Sequence, residues 1–188
     1  MTEVMATYFD ETGAGNTEAT LEIARKRAGE LGIKTIVVAT TSGSTGVKAT
    51  DVFKGCKVVA VTHFTGFAEP NGQQLTEKNR KRIEENGGIV HTASHAFTGI
   101  GGAMRAKWDT YQVDDLVANT LRIFGQGTKV ACEVTLMATD AGLVRTDEEV
   151  ISIGGSSGGA DTALVLQPAN LRNFFDLKVK EVLCKPRL

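Results

Sequence analysis

The sequence predicts one three-layer α/β domain over residues 1–188, with helices on both faces of a mostly parallel sheet. Three observations predict it. Short runs rich in valine and isoleucine alternate along the chain with segments of helical periodicity. The runs are apolar at successive positions, as in strands covered on both faces. Glycine and small hydroxyl residues follow several of those runs, where loops leave the strand ends.

The elements follow in order. TEATLEIARKRAGEL (17–31) places Leu21, Ala24, Ala28 and Leu31 on one helical face. Asn16 is the expected N-cap, Glu18 suits the first turn, and Gly32 closes the end. KTIVVAT (34–40) is a central strand. Residues 44–53 form a short helix with Val47, Val52 and Phe53 inward. CKVVAVT (56–62) is a second strand. LTEKNRKRIEENGG (75–88) is a charged helix stopped by Gly87 and Gly88, and IVHTA (89–93) is a third strand.

Residues 94–113, which hold the sole tryptophan, Trp108, are expected to be irregular, and long loops are often functional. Residues 114–124 read as a helix capped by Asp114, with Leu116, Val117, Thr120, Leu121 and Phe124 on one face. Residues 128–141 can pass for a strand. Val130, Val134, Met137, Ala138 and Ala141 fit a helical stripe better, with Gly142 at its end. EVISI (149–153) and DTALVLQ (161–167) are strands flanking GGSSGGA, and DLKVKEVL (176–183) is the last strand.

Composition narrows the function. The 188 residues are 41% hydrophobic and 23% charged, enough for a real core. A net charge of −1 gives no case for nucleic acid or an anionic membrane, and 6% aromatic content argues against a base-stacking surface. Cys56, Cys132 and Cys184 lie far apart, so neither a disulfide framework nor a structural zinc is expected. No apolar run reaches membrane-spanning length and no signal pattern opens the chain, so a cytoplasmic protein is expected.

Two loops carry the functional reading. TTSGSTG (40–46) and GGSSGGA (154–160) combine glycine with small hydroxyls and fall on one sheet edge if 149–153 runs parallel to the first three strands. Either is a plain turn when taken alone. Together they suit an anion. Glycine lets the backbone approach a ligand, the helix after TTSGSTG aims its N-terminus there, and Ser42, Ser44 and Thr45 add hydroxyls. Neither loop has nucleotide-fingerprint spacing.

Other candidates are single residues. His63 follows a strand end on the same edge and is either an acid–base or ligand group or a plain polar terminus. His91 and His95 are four apart, but HTASH leaves a strand, so no metal site is expected. His95 stays a weak catalytic candidate beside His63. Arg105 and Lys107 can meet a phosphate or stay solvated. Asp161 can bond ligand hydroxyls or cap its turn. Met104 and Trp108 can cover a ring or pack in a core.

The stretch from Asn16 to Val90 resembles the C-terminal α/β domain of pyruvate kinase. There a helix leads to a strand, a T-x-S-G-x-S/T loop and helix, then an I-x-A-V-T strand, a helix and G-I-x-x. EEVISIGGSSGGADTALVL resembles that domain's later strand, glycine loop and strand. The resemblance implies that the two loops hold phosphate. With no barrel catalytic domain in the pattern, pyruvate kinase activity is not implied.

Residues 94–127 are an insertion and 170–188 an extension relative to the kinase domain. TYF, NTEATL, FGQG, GADTA and FFDLK look instead like a stand-alone, largely archaeal family related to that domain. That resemblance implies flavin mononucleotide (FMN) as cofactor. A homo-oligomer is expected because helix 114–124 and the apolar last strand offer more hydrophobic surface than one small sheet needs, and the domain it resembles is used in tetramers. The implied site takes Thr40, Thr41, Ser42, Gly43, Ser44, Thr45 and Gly46 from the first loop. It takes Gly154, Gly155, Ser156, Asp161 and Thr162 from around the second, with His63 and Arg105. The reading expected first is a small-molecule binder for FMN or a related phosphorylated ligand. A flavin-dependent oxidoreductase and an oligomeric structural or regulatory module are the alternatives.

Overall fold

A computed structural model of the chain describes residues 3–187. Its strands are β1 (Thr7–Phe9), β2 (Thr35–Ala39), β3 (Lys57–Thr62), β4 (Ile89–Thr92), β5 (Val150–Gly154), β6 (Thr162–Gln167) and β7 (Lys178–Pro186). They form one seven-stranded sheet in the order β1-β7-β6-β5-β2-β3-β4. β5, β2, β3 and β4 run parallel to one another, β1 runs parallel to β7, and β6 is antiparallel to both its neighbours. The mostly parallel α/β sandwich expected from the sequence is therefore the fold.

Alternation along each strand builds two cores. Ile36 and Val38 of β2 face the helices α1 (Thr17–Leu31), α2 (Ser44–Val52) and α3 (Glu77–Glu85), packing with Leu21, Ala49 and Ile83. Val37 points the other way, with Val59 and Val61, toward Ala131, Val134 and Ala138 of α6 (Gln126–Asp140). Helix α6 is covered on its outer side as well. Leu136 packs with Phe97 and with Ala118 of α5 (Val113–Arg122). A helix enclosed on every side is apolar all round, so its sequence can also pass for a strand. Thr135 and Thr139 fit there because their hydroxyls donate to the carbonyls of Ala131 and Thr135 (2.8 and 2.7 Å).

Several local expectations are corrected. Residues 94–113 are not wholly irregular: α4 (Gly99–Trp108) lies within them. Three glycines in its first turn and no buried residue hide it from periodicity. Asn16 does not cap α1. A 3-10 turn, Ala14–Asn16, runs straight into that helix, and the Asn16 amide donates to the Glu11 carbonyl (2.8 Å). Asp114 is not the cap of α5 either, because Gln112 and Asp115 form a reciprocal capping box. Nor does the stripe on α5 stay on one buried face. Ala118 is buried, but Leu116 and Phe124 are 61% and 57% exposed. Gly32 does close α1, in the left-handed conformation (φ 69°).

The 170–188 stretch holds a 3-10 turn, Leu171–Asp176, and β7, a full member of the sheet. Arg27 of α1 grips Glu181 of β7 through two bonds (2.8 and 2.6 Å). No helix among the described residues is long and apolar enough to cross a membrane.

Candidate functional site

The sheet changes winding direction between β2 and β5. From β2 the chain moves outward through β3 and β4, then returns over the α6 face to lie against β2 on its other side. Loops leaving the carboxyl ends of β2 and β5 diverge at that point and open a crevice. A cavity of about 610 Å³ lies there, within the range of small-molecule sites. It is bounded by the loops after β2, β3 and β5, by α6, and by part of the α4 segment.

The first glycine loop is anchored from behind. The carbonyl of Ser42 accepts from the Thr76 N–H (3.2 Å) and the Asn79 amide (2.9 Å). Gly43 has φ 95°, and a Cβ there would stand 2.5 Å from the Asn79 Cβ and 2.6 Å from the Leu75 methyl. At Gly46 it would stand 2.8 Å from the Ile83 Cδ1. Neither glycine lines the cavity, and packing against α3 and the sheet accounts for both. This corrects the expectation that they are glycine to let a ligand approach. The front of the loop is different. Thr40, Thr41, Ser42, Ser44 and Thr45 all line the cavity. Ser44 and Thr45 open α2, so their N–H groups have no acceptor within the helix. The Gly46 N–H is taken by the Thr40 hydroxyl (3.3 Å).

The second loop is held by Asp161, which is fully buried. One oxygen accepts from the N–H groups of Gly13 (2.9 Å) and Ser156 (3.1 Å), the other from the Thr162 hydroxyl (2.8 Å). Asp161 and Thr162 are therefore a clamp behind the loop, and the expectation that they touch a ligand is corrected. Gly155 and Ser156 do line the cavity, and Gly154 does not. A Cβ on Gly154 would fall 2.3 Å from the Gly127 carbonyl oxygen. Its bare backbone thus lets the first turn of α6 dock on the strand end.

Both histidine candidates reach the cavity. The His63 and His95 rings meet edge to face, with centroids 5.3 Å apart, and Phe67 stacks 4.1 Å from His63. Gln74 Oε1 holds the His63 Nδ1 at 2.6 Å. Burial pushes His95 below the usual imidazole range, the Glu133 charge opposes that shift, and His63 and Lys129 reinforce it. His91, on β4, lies outside the cavity, and its buried Nε2 has no hydrogen-bond partner among the described residues.

Arg105 lines the cavity from α4 and is paired with Asp115. Lys107, Met104 and Trp108 do not line it. The Lys107 ammonium lies over the Trp108 ring, which is 58% exposed, so neither Met104 nor Trp108 is a cover for a bound ring.

Sequence reasoning missed Arg122, Lys129 and Glu133, all on the cavity wall. Arg122 donates to the Gln126 and Asn119 side chains (2.7 and 2.8 Å) and has no carboxylate partner among the described residues. Lys129 and Glu133 pair with each other in a nearly dry setting. Their signal was readable: charges four apart on a stripe that is otherwise apolar.

Three basic side chains thus stand against one acidic side chain around the cavity, together with the open end of α2. The arrangement suits an anion. An apolar strip of Ala39, Val61, Val130 and Val134 lies between the polar ends.

The model of the pyruvate kinase alpha/beta domain matches residues 18–166. Similar solved structures include a pyruvate kinase from Cryptosporidium parvum, 13% identical with a TM-score of 0.43, the match covering 81% of this chain and 23% of that one. Another is Cryptosporidium parvum pyruvate kinase in complex with ADP, at 14% identity and TM-score 0.36, covering 73% and 20%. O-ureido-L-serine synthase matches at 18% identity and TM-score 0.32, covering 71% and 49%. This chain therefore spans less than a quarter of the pyruvate kinases it matches and about half of the synthase. The family match takes in both glycine loops and the strands that present them, and on that ground the chain belongs to the pyruvate kinase alpha/beta domain family.

Proposed function

We propose that the cavity binds a phosphorylated small molecule, with FMN as the ligand its dimensions and lining fit. The observation that carries the reading is that the open Ser44 and Thr45 N–H groups at the β2/β5 switch point line one cavity with the cations Arg105, Arg122 and Lys129. A phosphate would sit against Ser44, Thr45 and the hydroxyls of Thr41 and Ser42. The strip of Ala39, Val61, Val130 and Val134, with Phe67, would take a flat ring. When bound, a flavin supplies electron-transfer or hydride chemistry. The chain's own residues orient it, screen one side from water and offer His63 and His95 nearby.

The test is a titration of FMN and of riboflavin against wild type and the Ser44→Ala, Thr45→Ala double variant. Riboflavin, without the phosphate, should bind more weakly than FMN. Each single variant should lose about tenfold to a hundredfold in FMN affinity, since each removed hydroxyl takes away a charge-assisted bond, and the double variant should lose more. Equal affinity for the two flavins would sink the reading.

A flavin-dependent oxidoreductase is the second reading, supported by the paired imidazoles on the cavity wall. Nicotinamide-driven bleaching of the bound flavin would separate it from a pure binder. The exposed apolar side chains of the α4–α5 region favour a homo-oligomer, since patches of that kind mark contacts between proteins. Neither nucleic acid nor membrane enters the proposal.

A further inference from the structure

Lys129 and Glu133 stand on the cavity wall with side chains 7% and 5% exposed. Their placement runs against helix stability in three ways. Lys129 is the fourth residue of α6, near the end where the helix dipole repels a cation. Lysine precedes glutamate, the less favourable order for a pair four apart. Both charges are also out of water, where a packed apolar pair of similar volume would be as stable or more so. Local rules broken together, without a packing gain, mark a functional position.

The bonding indicates which partner faces a ligand. The Glu133 carboxylate is engaged at both oxygens, one accepting from Lys129 and the other from the Phe97 N–H (3.0 Å). The Lys129 ammonium carries three N–H groups, and Glu133 is its one hydrogen-bond partner among the described residues. The Phe97 ring lies 5.6 Å from the Lys129 Nζ on another side. Unspent donors therefore remain on a buried cation beside the cavity. α6 lies on the opposite face of the sheet from α2, so Lys129 and the Ser44–Thr45 end of the site form facing walls.

We infer that Lys129 is a second recognition point of this cavity. It receives a negatively charged or strongly polarised oxygen at the end of the ligand away from the phosphate. Glu133 is a positioning residue that holds the ammonium in place. The ligand class is then a phosphorylated molecule whose other end carries a carboxylate, enolate, imide or ring-carbonyl oxygen. The inference rests on the proposed phosphate site for the ligand's orientation.

The experiment pairs calorimetric titration with thermal unfolding. FMN, riboflavin and inorganic phosphate are titrated against wild type and Lys129→Met. Loss of Lys129 should weaken FMN and riboflavin alike, by about tenfold to a hundredfold, and leave inorganic phosphate unchanged. The Ser44→Ala, Thr45→Ala variant should show the converse, losing phosphate and FMN affinity but not riboflavin. A folded Lys129→Met protein that binds both flavins like wild type overturns the inference. If wild type binds neither flavin, the FMN reading fails, and the unfolding arm still decides. Lys129→Met combined with Glu133→Gln keeps an acceptor for the Phe97 N–H and removes both charges. Its melting temperature should equal or exceed that of wild type. A fall of several degrees would make the pair a structural element and overturn the assignment.

Discussion

Gly154 ends β5, and Gly29 lies in the last turn of α1, yet alanine at each should move stability in opposite directions. A Cβ on Gly154 would stand 2.3 Å from the Gly127 carbonyl oxygen and 3.0 Å from the Ala131 nitrogen. That is roughly 1 Å inside the 3.4 Å of an ordinary contact, and the obstacle is backbone rather than a mobile side chain. Helix α6 cannot retreat, because it is enclosed by the sheet on one side and by α5 and Phe97 on the other. The penalty belongs at the upper end for overpacking, about 3 kcal/mol. For a chain of this size that lowers the melting temperature by roughly 6–12 °C. Gly29 is exposed, helical and has nothing within 4 Å of an added Cβ. Alanine there should add about 0.5–1 kcal/mol, or roughly 1–4 °C. The assay is scanning calorimetry of both variants beside wild type. A Gly154→Ala melting point within about 2 °C of wild type, or a Gly29→Ala protein that melts lower, would refute the packing argument.

Three further outcomes are expected. Burial holds His91 and His95 below the ordinary imidazole value of 6.5, so the unfolded chain takes up protons first as pH falls. Stability should hold above that value and decline below it, and His95→Gln should flatten the decline in urea unfolding measured at several pH values. An unchanged slope would remove His95 from the account. Burial also pushes the Cys132 thiol up to about 12 and that of Cys184 to about 11. A chromogenic thiol reagent should therefore find one reactive cysteine, Cys56, in the native protein and all three after denaturation; fast labelling of three in the native state would contradict the burial of Cys132 and Cys184. Light scattering should give a multiple of the 20.0 kDa chain mass, and Ile123→Glu with Phe124→Glu should shift it toward one chain, since those side chains are 70% and 57% exposed.

Most of the architecture was legible because the central strands are valine and isoleucine runs, which carry their own signal. What stayed hidden has a common cause. β1 is three residues long, too short for a period to register. α4 buries nothing, so no core wrote a pattern into it. The two glycine loops were readable as neighbours on one sheet edge, but not which of their residues face the cavity. Glycine looks the same whether its missing side chain makes room for a ligand or for α3, and Gly43 and Gly46 make room for α3 and the sheet. For Asp161 the sequence left a ligand contact and a turn cap both open, and the second holds: donors from Gly13, Ser156 and Thr162 inside the protein satisfy it. Lys129 and Glu133 could be read only against their apolar neighbours, since charges four apart on a helix are ordinarily solvated.

β7 lies between β1 and β6, with Thr7 beside Cys184 and the Arg187 N–H donating to the Phe9 carbonyl (2.9 Å). As the ribosome extends the chain, β1 emerges early and finds no strand to join until β7 has cleared the exit tunnel. Sheet completion therefore waits for a segment made long after β1, and the β1–β7 pairing joins residues far apart in sequence, the kind of contact that forms slowly. Until then β6 offers an unpaired edge, with Leu164, Val165 and Leu166 beside it, in the form that invites pairing between nascent chains. A ribosome that stalls shortly before this strand would hold a molecule already shaped around the β2/β5 crevice yet sticky along one flank, a natural substrate for chaperones or proteolysis.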